Sequence, residues 1–194
     1  MNEEIFLTDL ERDTQRLVKE AHYVYKRIIP DHLSKTEYDG FPEIMHGFMM
    51  GALSRIDCAS KIWFGKKYPN QTRRMVEFLD NFKLCGREEA QVLIEIWRHA
   101  LMHTGSLRQI SIGSQIYTWN FHWGEGVGSS RHLTLQNFQD GRKCLNIGLI
   151  YFIDQITYII NNFIKKVRSD NKTLYPQLTH YLKEQHNFIK KIYF

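Results

Sequence analysis

The sequence lacks several features that would place it in a specialised class of protein. Only three of its 194 residues are cysteine, and an odd number without paired spacing argues against a disulfide framework. The longest strongly apolar run, residues 147–153, ends at Asp154, whereas a membrane-spanning helix needs about 20 residues. The acidic start, Met-Asn-Glu-Glu, has no apolar stretch behind it, so we expect no secretory signal peptide. These absences favour a protein of the reducing cytoplasm that makes no contact with a membrane.

The composition is that of an ordinary globular chain. Hydrophobic residues make up 43% and charged residues 24%, which excludes disorder as the dominant state. The length suits a single domain over residues 1–194. Residues 1–142 carry 18 basic and 18 acidic side chains, whereas residues 143–194 carry eight and three and so account for the net charge of +5. This basic end is either a solvated lysine-rich surface or a contact for a polyanion such as nucleic acid.

Most of the chain shows helical periodicity. Thr8 and Glu11 have the spacing of a capping box and predict the start of a first helix, which Pro30 ends. Pro42 suits the first position of a second, strongly apolar helix that runs to about Phe64. Further helices are predicted after Asn70, over residues 87–103, from about 143 to 168 and from about 174 to 192.

One stretch, from Gln115 to Trp123, has the two-residue period of a strand. Its aromatic residues fall on one face, and a glycine-rich turn and a second alternating stretch follow, which predicts a β-hairpin at about 112–136. We favour the interpretation that the aromatic face packs on the core or on a dimer partner. Alternatively, this face stacks unpaired bases, and Trp119 and Trp123 then contact RNA. We therefore predict an all-α fold, a helical bundle of five to six helices with an inserted β-hairpin and basic C-terminal helices at about 143–192.

The strongest chemical signal lies at the predicted end of the fourth helix, in the segment Trp-Arg-His-Ala-Leu-Met-His-Thr-Gly at 97–105. Arg98 is followed directly by the polar His99 and, five positions on, by His103. This Arg-x4-His arrangement resembles the signature of the HEPN superfamily (higher eukaryotes and prokaryotes nucleotide-binding domain). Ser54 and Asp57 are similar to positions on an aspartate-bearing central helix of related bacterial proteins.

The resemblance implies a metal-independent endoribonuclease, or a non-catalytic RNA-binding relative, that works as a homodimer. In such proteins the arginine and the histidine of both protomers line one cleft, which implies the same place for Arg98 and His103. His99 stands where the family often has asparagine. The resemblance also implies a toxin–antitoxin or phage-defence role, with an antitoxin protein as a partner. One subgroup carries a tyrosine, modified by a nucleotidyltransferase, two residues after the histidine. Gly105 occupies that position here, so we do not expect this form of regulation.

The same residues suit the reaction for chemical reasons alone. Cleaving RNA without a metal needs a base for the 2′-hydroxyl proton, an acid for the leaving 5′-oxygen and a cation for the phosphorane charge. Histidine titrates near neutral pH, and the planar arginine fork binds two phosphate oxygens. The products would be a 2′,3′-cyclic phosphate and a 5′-hydroxyl. On an ideal helix Arg98 and His103 point about 140° apart, so a cleft shared by two protomers brings them together more easily than a monomer does.

Other readings of this segment use the same side chains. Glu95, His99 and His103 are spaced i, i+4, i+8 and could bind zinc, although no HExxH motif is present. They could equally be ordinary polar residues, with Arg98 a surface cation. The glycine-rich turn at 124–128 lacks the Lys-Ser/Thr of a phosphate-binding loop. We expect neither a metal nor a cofactor.

The second helix offers weaker candidates. Ser54, Asp57 and Lys61 share one helical face and could line the same cleft, where Lys61 would contact RNA. Asp57 lies among apolar residues, and a buried carboxylate needs a cationic or hydrogen-bonding partner. That partner is either Arg98 or His103, which Asp57 would then orient, or an unrelated Arg or Lys. A different class of function also fits the sequence: a non-catalytic helical protein-interaction module whose hairpin and basic C-terminal helix bind a partner.

Overall fold

A computed structural model describes residues 2–28, 42–97, 109–123 and 132–193. Within these ranges the chain forms six α-helices and a four-stranded sheet. The helices are α1 (Glu3–Tyr23), α2 (Pro42–Phe64), α3 (Gln71–Asn81), α4 (Arg87–Glu95), α5 (Leu149–Ser169) and α6 (Leu174–Tyr193), and the strands are β1 (Gln109–Ile112), β2 (Gln115–His122), β3 (Thr134–Asn137) and β4 (Lys143–Gly148). A π-helical segment, Val24–Ile28, continues α1.

The first helix starts earlier than predicted. The side chain of Asn2 accepts a hydrogen bond from the backbone nitrogen of Glu4 at 2.8 Å and so caps the helix. Glu3 and Glu4 place negative charge in the first turn, where the helix dipole favours it. The capping box predicted at Thr8 is wrong, since Thr8 lies within the helix.

The predicted starts of the next two helices are confirmed. Pro42 is the first residue of α2, and Gly65 follows its last residue with a φ of +53°, a conformation that favours glycine. Asn70 caps α3, because its side chain accepts a hydrogen bond from the backbone nitrogen of Arg73 at 2.9 Å. The α-helix α4 starts at Arg87 as predicted and is described as far as Glu95, with a π-helical pair at 96–97.

The predicted hairpin is wrong in its strand pairing. β1 and β2 form an antiparallel hairpin, with Gly113 in its turn at a φ of +60°. The strand order is β1-β2-β4-β3, so β4 lies between β2 and the strand predicted to pair with it. β2 and β4 run parallel, and β3 pairs with β4 antiparallel. The fold is therefore mostly helical, with a mixed sheet rather than an inserted hairpin.

The long helix predicted from about 143 is also wrong in its first part. Residues 143–148 are β4, and α5 begins only at Leu149. Every residue of β4 except Lys143 is buried, because the strand is central in the sheet. A short, continuously apolar run has the same pattern in a buried strand as in a buried helix, so periodicity does not separate the two.

One hydrophobic core joins the helices to the sheet and extends from Leu7 to Leu182. α1 packs antiparallel on α5, and α2 contacts α1, α3, α5 and α6. The aromatic face of β2 turns toward this core, which agrees with the packing role favoured from the sequence. Among the described residues, no helix combines the length and hydropathy needed to cross a membrane.

Candidate functional site

The parallel pair β2 and β4 ends at one edge of the sheet, where polar residues gather. His122 and Gly148 are register partners at the carboxyl ends of these strands, and Gly148 is also the N-cap residue of α5. Ligands of open α/β sheets bind outside the carboxyl ends of parallel strands, and a helix N-terminus there favours negative charge. We call this region the histidine end, after His22, His46, His122 and His132.

Among these four residues, His122 is the best candidate for proton transfer. Its ring is half-buried, and its Cε1 atom lies 2.9 Å from the point where a Cβ on Gly148 would stand. Burial lowers the pKa of His122, so the imidazole is neutral at physiological pH. Within the described part of the chain no hydrogen bond involves its ring nitrogens, which leaves a neutral imidazole able to accept a proton.

His132 is held on both sides. Its Nδ1 accepts a hydrogen bond from the backbone nitrogen of Gly148 at 3.0 Å, and its Nε2 donates to Oε1 of Gln155, also at 3.0 Å. This pattern requires the neutral tautomer with the proton on Nε2. Burial lowers the pKa of His132, whereas the hydrogen bond to Gln155 raises it, and repulsion between the protonated forms of His132 and His122 lowers it further. His132 therefore positions the start of α5 and is less suited to proton transfer.

Helices α1, α2 and α5 also contribute contacts to this region. Nε2 of His22 lies 3.0 Å from Oδ1 of Asp154, which ties the end of α1 to the second turn of α5. The ring of His46, near the start of α2, packs edge-on to Phe121 with centroids 5.5 Å apart. These four histidines come from distant parts of the sequence, and no motif in the sequence groups them.

Trp123, which follows His122 in the sequence, is buried and held by several contacts. It is 2% exposed, and its ring stacks on Tyr25 with centroids 6.3 Å apart. Its carbonyl accepts a hydrogen bond from the backbone nitrogen of Ile150 at 3.2 Å, so strand, helix and ring are fixed together. In this conformation neither face of Trp123 is free for a base. Trp119 is partly buried and packs against the core.

The predicted catalytic residues Arg98, His99 and His103 lie outside the described residues. The described chain stops at Trp97, which is 5% exposed, and resumes at Gln109, the first residue of β1. Gln109 pairs with Thr118 in an antiparallel ladder, so the chain enters β1 from the direction in which β2 leaves. No group of three potential metal ligands occurs in the ranges that the structure describes, and two members of the predicted zinc triplet fall outside them.

Asp57 binds Arg74, which is the alternative partner that the sequence left open. Nη2 of Arg74 lies 2.9 Å from Oδ1 of Asp57, and Nε donates to Oγ of Ser60 at 3.4 Å. Ser60 in turn donates to the backbone carbonyl of Asp57 at 2.8 Å. Since the side chain of Arg74 is only 10% exposed, the pair clamps α3 onto α2. Ser54 is exposed, and its hydroxyl donates to the carbonyl of Met50 at 2.7 Å.

Lys61 lies far from the histidine end. It is fifteen residues beyond His46 on α2, about 22 Å along the helix axis. Its Nζ is 3.9 Å from a carboxylate oxygen of Glu184 and 5.3 Å from the ring centroid of Tyr181 on α6. Lys61 therefore belongs to a different surface from the residues around His122.

Comparisons with protein-family models, with curated proteins and with solved structures give no significant match. A neutral, half-buried imidazole stands beside a helix N-terminus, next to a second imidazole whose tautomer is fixed. This arrangement can take up a proton beside a helix N-terminus, where the helix dipole favours negative charge.

Proposed function

We propose that the protein is an HEPN-like, metal-independent endoribonuclease that cleaves RNA at the histidine end. The observation that carries the proposal is the state of His122, which is neutral and has no hydrogen-bond partner in the described residues. A general base must be unprotonated and free to approach the proton that it removes. The proposed site of action is the cytoplasm.

The proposed reaction assigns one role to each group. His122 removes the proton from the 2′-hydroxyl, whose oxygen attacks the adjacent phosphorus. His103 gives a proton to the 5′-oxygen as its bond to phosphorus breaks, and Arg98 binds the phosphorane oxygens. The products are a 2′,3′-cyclic phosphate and a 5′-hydroxyl, and His99 lies beside Arg98 in the sequence as a further polar contact.

The residues that flank the Arg98–His103 segment support its use at this end. α4 starts at the amino ends of β2 and β4, where Oε1 of Glu88 accepts hydrogen bonds from Tyr117 at 2.8 Å and Lys143 at 2.6 Å. The helix then packs on β4. After the segment, Gln109 pairs with Thr118 in the antiparallel ladder, so β1 begins on the side toward the carboxyl end of β2.

Cations for the RNA backbone are available nearby. Lys26 and Arg27 are exposed on the π-helical segment that follows α1, and neither forms an ion pair with any described residue. Tyr25, between them and α1, stacks on Trp123 and so fixes this segment beside the strand ends. Phosphate contacts of this kind position RNA without reading its sequence.

The nuclease proposal is tested with purified protein and single-stranded RNA in EDTA. We expect wild-type protein to release 2′,3′-cyclic phosphate ends, and Arg98→Ala, His103→Ala and His122→Gln to cut at least about 100-fold more slowly. His186→Gln is the matched control, since His186 is exposed on α6, and it should cut like wild type. Thermal melts of each variant separate a loss of chemistry from a loss of fold.

The possible failures have different meanings. RNA that stays intact but shifts in a gel indicates an RNA-binding relative without catalysis. RNA that is neither cut nor bound leaves the protein-interaction module as the function. Cutting that requires added metal contradicts the metal-free mechanism.

We also propose a homodimer and an antitoxin partner. Mass measurement by light scattering after size exclusion tests the dimer, and a monomer at micromolar concentration would remove the shared cleft. Co-expression with the neighbouring reading frame tests the antitoxin, which should restore growth to cells that express the wild-type protein.

A further inference from the structure

A cavity lies at the carboxyl end of α2, between that helix, the start of α3 and α6. Its volume is about 730 Å³, within the range of small-molecule sites. Charged and aromatic side chains line it, among them Lys61, Lys66, Tyr68, Arg74, Tyr181 and Glu184. We call it the α2–α6 cleft.

Arg74 forms the fixed part of the cleft. Asp57 binds its Nη2 and Ser60 binds its Nε, so the guanidinium plane cannot turn freely. Its third nitrogen, Nη1, makes no hydrogen bond within the described residues. A buried arginine with one open donor presents a preorganised contact for an anion, because little side-chain entropy remains to be lost on binding.

Two lysines add positive charge at the same place. Lys66 is exposed and forms no ion pair with any residue that the structure describes. Lys61 lies at the outer limit of an ion pair with Glu184, whose other oxygen is 3.1 Å from Nε2 of His180. Since Glu184 is the acidic residue that lines the cleft and Asp57 already pairs with Arg74, the lining carries an excess of positive charge.

The apolar walls are held in place by the docking of α6. The amide nitrogen of Gln177 faces the carbonyls of Ile62 and Trp63 at the end of α2, and lies 3.0 Å from the second of these. The thiol of Cys58 donates a hydrogen bond to the hydroxyl of Tyr181 at 3.6 Å, which fixes that ring against α2. Tyr68 packs edge-on to Phe64 with centroids 4.8 Å apart. The rings are therefore preformed surfaces for a flat ligand.

We propose that the α2–α6 cleft binds a small organic anion, a carboxylate or a phosphate monoester attached to a flat apolar body. The anionic group contacts Arg74 and Lys66, and the body lies between Tyr68 and Tyr181. The cleft is about 22 Å along α2 from His46, so this site is separate from the proposed RNA site and stands independently of it.

The test uses four probes that separate head group from body. Benzoate and phenyl phosphate carry a ring and an anion, phenol carries the ring alone, and inorganic phosphate carries the anion alone. Each is titrated to about 10 mM into isotope-labelled protein while backbone amide NMR shifts are recorded. We expect saturable shifts at Gly65, Lys66 and Tyr181 with benzoate or phenyl phosphate, and no saturation with phenol or inorganic phosphate. The tighter of the two anions identifies the head group.

Two substitutions complete the test. Lys66→Ala should weaken binding about tenfold, and Lys165→Ala, which removes an exposed lysine on α5, should leave it unchanged. Arg74→Lys keeps the charge opposite Asp57 but loses the fork, and should weaken binding to a similar extent. The proposal is overturned if no probe saturates, if phenol binds as tightly as the anions, or if Lys66→Ala binds like wild type. If Arg74→Lys fails to fold, the binding measured for Lys66→Ala tests the proposal by itself.

Discussion

The ring of His122 occupies the space that a side chain at Gly148 would need. The two residues are register partners on parallel strands, and the His122 Cε1 atom lies 2.9 Å from the Cβ position of Gly148. A contact this short is essentially never found for a real Cβ, so the absence of a side chain at 148 is what admits the imidazole to the end of the sheet. It also places the imidazole beside the first turn of α5.

Gly148→Ala should therefore displace His122 and destabilise the fold. The added methyl meets both His122 and Tyr151, the latter at 3.2 Å, and we expect a loss of about 1–3 kcal/mol in the free energy of unfolding. Gly47→Ala is the matched control, because Gly47 lies in α2 with open space around it and should gain up to about 1 kcal/mol. Urea denaturation measures both. Equal free energies of unfolding for the two variants would show that the His122 ring moves aside without destabilising the fold.

Stability should fall as the pH is lowered from 8 to 5. Burial lowers the pKa of His122 and of His132 in the folded state, so the unfolded chain binds more protons in this range. Their contribution is complete above about pH 6.5, the unfolded value, and is lost as the pH falls through the lower folded values. Denaturation curves at several pH values test this. The double variant His122→Gln, His132→Gln should show a clearly smaller dependence, and an unchanged slope would contradict the assignment.

The Asp57–Arg74 pair should contribute more to stability than an exposed ion pair does. Asp57→Ala leaves a nearly buried guanidinium without its charged partner, and we expect a loss of about 1–3 kcal/mol, less than for full burial because Asp57 is 31% exposed. The exposed pair of Arg16 and Glu20, at 2.7 Å, is the control, and Glu20→Ala should leave the unfolding midpoint unchanged. Thermal and urea unfolding compare the two variants directly.

The cysteines should react slowly with thiol reagents in the folded protein. Burial raises the pKa of Cys58 to about 11 and that of Cys85 to about 12, so both stay protonated at pH 8, and Cys144 is buried. A colorimetric disulfide reagent should label all three thiols rapidly in denaturant and far more slowly without it. Rapid labelling of Cys58 in the native protein would show that the contact between α2 and α6 opens readily.

Local signals in the sequence predicted the elements that they border. Pro42, Gly65 and Asn70 mark helix ends through φ preference and side-chain capping, which depend on neighbouring residues only. The alternation from Gln115 onward predicted β2 in the same way. The capping box at Thr8 predicted the wrong start for α1, because Asn2 caps the helix earlier and is followed by two acidic residues.

The sequence predicted less of the candidate site than of the fold. The place of Asp57 in an apolar helix predicts that its carboxylate has a partner, but no local signal identifies Arg74, which lies seventeen residues away on another helix. The roles of Arg98 and His103 stay predictions. The grouping of His22, His46, His122 and His132 has no sequence signature, because no two of them lie within a helical turn or on one strand.

Residues close together along the chain determine the helix ends at Pro42, Gly65 and Asn70 and the strand period of β2, because capping, φ preference and side-chain period act over a few positions. The prediction of a catalytic role for the Arg98–His103 segment also comes from neighbouring residues. The place of β4 between β2 and β3, the inward turn of the aromatic face and the assembly of the histidine end required the folded chain. Each depends on which surfaces are buried against one another, and that choice is made by packing across the whole domain rather than by any single segment.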